Sequence, residues 1–128
     1  MKEEEIVMIF QFSKKWSELG IITPDVLKEL EREYAKGEDP YPEHYRWRAF
    51  QSFMQRNANF DDNIAKALYK LGEDDLDSSL GGAIMVAILK RKDCPLDLLE
   101  EAAHSTKRFL AKTALQQLSK RKLSEDHS

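Results

Sequence analysis

Apolar residues recur at intervals of three and four along nearly the whole chain, and no segment sustains a period of two. A half-buried strand alternates at every second residue, whereas a helix repeats every 3.6, so this regularity points to helices and away from a sheet. The chain breakers agree. Five Gly and four Pro among 128 residues are too few for an all-β chain built from tight turns. The expected fold is all-α, with about seven helices in antiparallel pairs.

Local signals place the elements. A first helix is predicted from about Glu3 to Leu19, with Ile9, Phe12, Trp16 and Leu19 on one stripe, Ile6 and Phe10 on a second, and Gly20 as its stop. Two apolar sides imply burial between neighbours or against a partner chain, which leaves a dimer open. Thr23-Pro24-Asp25 opens a second helix as cap, first-turn proline and dipole-facing acid. Gly37 ends it, and Asp39-Pro40-Tyr41-Pro42 is the sharpest break in the chain. A third helix follows over about Pro42 to Arg56, with Trp47, Phe50, Phe53 and Met54 inward. A fourth starts near Asp61 and stops at Gly72, and the acidic turn Glu73 to Ser79 leads into a fifth. Asp93-Cys94-Pro95 starts a sixth and Ser105 caps a seventh. A single helical domain is expected over 1–122, with a disordered tail over 123–128.

Composition narrows the setting. At 41% hydrophobic and 34% charged, the chain reads as a soluble domain with a real core. No apolar run approaches the roughly 20 residues that cross a bilayer. The start, Met1-Lys2-Glu3-Glu4-Glu5, is unlike a secretory signal. One cysteine, Cys94, excludes an internal disulfide framework. A cytoplasmic protein is expected.

An internal repeat lies in the second half. Asn59 to Leu68 overlays Asp93 to Ala102 at an offset of 34, placing Ile64 on Leu98, Ala65 on Leu99 and Leu68 on Ala102. Each segment opens a short helix that leads to a longer one rich in Ala and Leu. On those residues, and on Leu110, Ala114 and Leu118 of the last helix, the stretch from about Asn57 to Lys122 resembles the HEAT-like and variant leucine-rich helical-repeat families. The resemblance implies stacked helix pairs sharing a continuous core. A compact irregular bundle is the alternative architecture.

Gly81-Gly82 stands inside the fifth helix, where two glycines cost about 1–2 kcal/mol relative to alanine. Close approach of another helix backbone offsets that cost. The competing role, an anion site with Ser78 and Ser79 at the helix start, conflicts with the acidic turn just before it.

No catalytic constellation emerges. His44, His104 and His127 are scattered without metal-ligand spacing. Cys94 reads as a small buried residue, and an enzyme built around it is a remote third reading. Glu73, Asp74, Asp75 and Asp77 lack the spacing of a calcium loop. No cofactor or metal is expected.

Charge carries the functional reading. Through Ser78 the chain holds 17 acidic and 11 basic residues; from Ser79 to Ser124 it holds 4 and 9, within a net charge of −3. A two-ended binder follows, steered by whichever end meets an oppositely charged partner. Asp39, Asp61, Asp62, Glu73, Asp74, Asp75 and Asp77 are the candidate partner-binding acids, expected at one end of the stack. Tyr41 and Tyr45 are the candidate surface anchors, because tyrosine is enriched at binding hot spots. The basic half, with Lys90, Lys107, Arg108, Lys112 and Lys120, is the opposite bet for nucleic acid, disfavoured by the overall pI of 5.7.

The chain is expected to be a non-catalytic protein-binding module. In size, charge and class it resembles bacterial immunity proteins, a likeness that implies occlusion of a cognate toxin's basic active site, often that of a nuclease. A small helical-repeat adaptor or regulatory subunit is the alternative.

Overall fold

The computed structural model describes residues 3–56 and 60–126, with side chains omitted for Glu3 and beyond Leu123. These residues form eight helices and no strand, so the fold is all-α. The chain divides into two compact units, Met1–Asn59 and Phe60–Ser128.

The first unit holds α1 (Glu3–Phe10), α2 (Lys14–Glu18), α3 (Pro24–Ala35) and α4 (Pro42–Arg56). The single helix expected from Glu3 to Leu19 is two. It breaks at Gln11, which takes a left-handed conformation with φ of 61°. The N–H of Phe12 reaches Val7 O and that of Gln11 reaches Met8 O, each at 3.2 Å. That pair of bonds is a Schellman ending, a position where glycine is usual. Arg46 holds it together. It is only 2% exposed, and its Nη1 donates to Phe10 O at 2.9 Å and to Gln11 Oε1 at 3.3 Å. A cation at a helix C-terminus meets the negative end of the dipole and the last free carbonyls.

Around this clamp the aromatic residues gather. Phe10 stacks on Tyr45 with ring centroids 4.5 Å apart and meets Tyr34 edge-on at 5.6 Å. The buried face of α4 is Tyr45, Arg46, Ala49, Phe50 and Phe53, rotated from the expected stripe, so that Trp47 and Met54 are half-buried. The cap expected for α3 is present: Thr23 Oγ1 accepts from Val26 N at 3.3 Å.

The second unit holds α5 (Asp62–Glu73), α6 (Ser78–Leu89), α7 (Leu96–Ala103) and α8 (Arg108–Asp126). The α8 backbone continues past Lys122 to Asp126, where a disordered tail was expected, and the repeat segment 57–59 lies outside the described residues. Helix α5 packs on α6, α7 on α8, and α6 on α8. Asp61 and Asp77 cap α5 and α6, accepting from Ile64 N and Leu80 N at 2.8 Å. Ile84, Ile88, Leu89, Leu99 and Ala114 are wholly buried. At the far end of α6, Arg121 Nη2 donates to Lys92 O at 3.0 Å, while Arg91 grips Asp93 at 2.7 and 2.8 Å.

Gly72 does not stop α5 as expected; it lies within the last turn, buried against Gly81. A Cβ on Gly81 would stand 2.1 Å from Gly72 O, and one on Gly72 would stand 2.8 Å from Gly81 O. Neither carbonyl can retreat without moving its helix. The expected backbone approach at Gly81-Gly82 is therefore met at Gly81. Gly82 faces something softer, the ring of Phe109, whose Cζ would lie 3.1 Å away.

Two stability outcomes follow. An exposed interior glycine replaced by alanine gains about 1 kcal/mol in a helix. Gly81→Ala is expected to reverse that sign and lose about 2 kcal/mol through the clash, while Gly82→Ala stays within about 0.5 kcal/mol of the parent because Phe109 can turn aside. Chemical denaturation of the full chain separates the two. Arg46→Met is expected to cost about 2 kcal/mol, since it strips a charged hydrogen bond from the buried Phe10 carbonyl, read as a lower thermal midpoint.

Candidate functional site

The expected binding residues fall into three places. In the first unit, Asp39, Tyr41 and Tyr45 surround the Pro-rich break. In the second, Asp61 and Asp62 open α5, while Glu73, Asp74, Asp75 and Asp77 follow its other end. Helix α5 has 12 residues, a length of about 18 Å at 1.5 Å per residue. The acids of the second unit therefore occupy opposite ends of one helix, where a common rim was expected.

Asp39 is a local hub. Its carboxylate accepts from Tyr41 N at 3.2 Å, His44 Nδ1 at 3.0 Å and Arg48 Nη2 at 2.7 Å. Burial pulls its pKa upward, but the Tyr41 amide, His44 and Arg48 outweigh that and hold it below the ordinary 3.8. Tyr45 is not a surface anchor. It is 0% exposed, stacked on Phe10, and its hydroxyl donates to Asp39 O at 2.6 Å. Burial, then the Asp39 charge, raise its pKa. Tyr41 does stand at the surface, 56% exposed, beside His44.

Asp61 and Asp62 are exposed, though the Asp61 carboxylate is engaged as the α5 cap. Near them Lys66 pairs with Asp97 of α7 at 2.5 Å.

The acidic turn has a division of labour that its composition conceals. Asp77 caps α6, and Asp75 accepts from Asp77 N at 2.8 Å, so both fold the turn. Glu73 and Asp74 are exposed, and among the described residues they pair loosely with Lys70 at 3.8 and 3.5 Å. Exposed pairs of that kind contribute about 0–1 kcal/mol and leave both carboxylates available. At the crest sits Leu76, 81% exposed. Sequence periodicity passes over it, because nothing distinguishes one leucine at a helix end from another. The signal that could have found it is its isolation among four acids.

Cys94 is buried, and desolvation lifts its thiol to about 11. Such a thiol is scarcely ionised at neutral pH, as the structural reading requires. Among the described residues no three His, Cys, Asp or Glu side chains gather as a metal site, and no helix is long and apolar enough to cross a membrane.

Asp39 supplies a pH test. Its folded pKa lies below the ordinary 3.8, so its stabilisation is full above that pH and is lost as pH falls through the lowered value. Thermal midpoints of the parent and Asp39→Asn are expected to differ at neutral pH and to converge in acid.

Comparison with protein-family models, with curated proteins and with solved structures returns no match.

Proposed function

We propose that the chain is a protein-binding module that docks a basic protein surface through the α5–α6 turn. The observation that carries this reading is Leu76, 81% exposed between Glu73, Asp74, Asp75 and Asp77. Leaving a leucine in water forgoes about 2 kcal/mol of burial, which a partner's apolar pocket would restore. The carboxylates around it set the sign of that partner. They repel anionic surfaces, attract cationic ones and speed encounter by steering. The turn is also pre-formed by its own caps, so little ordering entropy is lost on docking.

The specific form of the proposal is an immunity protein: the knob enters, and the acids cover, the basic active site of a cognate bacterial toxin in the cytoplasm. Occlusion needs no chemistry from this chain. The HEAT-like reading belongs to the same proposal. Helices α5 and α7 start 34 residues apart, at Asp62 and Leu96, and each leads into a partner helix, as in two stacked units of a repeat.

The turn's division of labour selects the variants. Reversing Asp75 or Asp77 would damage the fold, whereas Glu73→Lys with Asp74→Lys changes charge alone and Leu76→Ser removes the knob. Pull-down from the native host is expected to return one partner with the parent and to lose it with the triple variant. Stopped-flow with that partner should show association about tenfold slower for the two charge reversals, with a flatter salt dependence. A partner retained undiminished by the triple variant would place the interface elsewhere.

A further inference from the structure

A second surface of the second unit carries the opposite character. Helix α8 holds five basic residues, and its two acids, Glu125 and Asp126, stand at its very end. Its buried side is Leu110, Thr113 and Ala114, the face packed on the unit's core. Arg121 is also accounted for, donating to the carbonyls at the end of α6. The outer side is not. Arg108, Ala111, Lys112, Leu115, Ser119 and Lys120 share one open face along the helix. Leu115 is 56% exposed on it.

Elsewhere Lys14, Lys15, Lys36, Lys66, Lys70 and Arg91 rest on a carboxylate, while Lys90 and Lys92 have no such partner among the described residues. Among the described residues, Arg108, Lys112 and Lys120 have no side-chain hydrogen bond or ion pair. Among the described residues these three cations have no carboxylate partner, and they share this face with the exposed Leu115.

We infer that this face of α8 docks an acidic amphipathic helix of a partner protein. Ala111 and Leu115 are four residues apart and form one ridge, the spacing against which a second helix packs. Arg108 and Lys112 lie alongside at the same interval, where flanking charges choose the partner. This face runs from Arg108 to Lys120, about 18 Å, which matches roughly three turns of a docked helix. Two other anionic surfaces fit less well. A phosphate backbone is served by cations alone and gains nothing from burying Leu115. An anionic bilayer calls for a broad apolar face, and this one offers a single leucine at its centre. The proposal does not depend on the role given to the α5–α6 turn. Should both hold, the chain joins a basic partner to an acidic one.

The test uses the full chain and a synthetic helical peptide of about four turns, with leucines four residues apart and glutamates beside them. Its controls are a scrambled peptide of equal composition, a short DNA duplex, a single-stranded RNA, and phosphatidylserine–phosphatidylcholine vesicles. Calorimetry is expected to show submillimolar binding of the ordered peptide, about tenfold tighter than the scrambled one. Leu115→Ser should weaken it by about tenfold, and Lys112→Glu with Lys120→Glu should do likewise and flatten its salt dependence. These positions are exposed, so circular dichroism should match the parent. If the ordered peptide does not bind, or if scrambled peptide, nucleic acid or vesicles bind as tightly, the inference fails. Unchanged affinity in Leu115→Ser also overturns it.

Discussion

The second unit depends on one contact without side chains, the meeting of Gly72 with Gly81. Two helices ordinarily pack with axes 8–10 Å apart, held off by their side chains. Where both lack a Cβ the backbones themselves touch, and a short turn suffices to join them. Residues 74–77 are that turn. Its shortness leaves no slack, and of its three carboxylates and that of Glu73 just before it, Asp75 and Asp77 are engaged in folding the turn. What remains, Leu76 with Glu73 and Asp74, is presented outward. The exposure of the knob thus descends from the absence of two methyl groups in the interior.

The first unit solves a different problem. Its chain must turn sharply after α1, and the turn falls on Gln11 rather than on glycine. A buried guanidinium from α4 receives the freed carbonyl, and an aromatic stack of Phe10 and Tyr45 closes over the junction. Burying a charge is costly, and a buried Arg is retained only where hydrogen bonds satisfy its donors. A polar clamp in an aromatic setting fixes one arrangement of the helices, because a slipped register would leave that charge without its carbonyl.

These two devices mark what was legible in the sequence. Thr23 was readable as a cap because a cap is made within three residues, whereas Asp61 was legible only as the start of a helix. The close approach at Gly81 was readable because two glycines in a helix need a reason. Its partner was not, since a glycine near a helix end has the same appearance whether it stops the helix or admits a neighbour. The break at Gln11 was hidden for a related reason: what stabilises it is Arg46, 35 residues away. Tyr45 was misplaced because its burial depends on Phe10, a contact across helices. The acidic turn was plain from composition, while its exposed leucine emerged only with the fold.

The lone cysteine gives the second unit a built-in clock. Cys94 lies 2% exposed at the start of α7, its thiol lifted to about 11 by burial. A reagent added to the native protein therefore reacts almost solely during the moments when α7 lifts away. The rate of alkylation counts those openings, with no probe to introduce and no second thiol to confuse the signal. Any ligand that tightens this unit would slow the count.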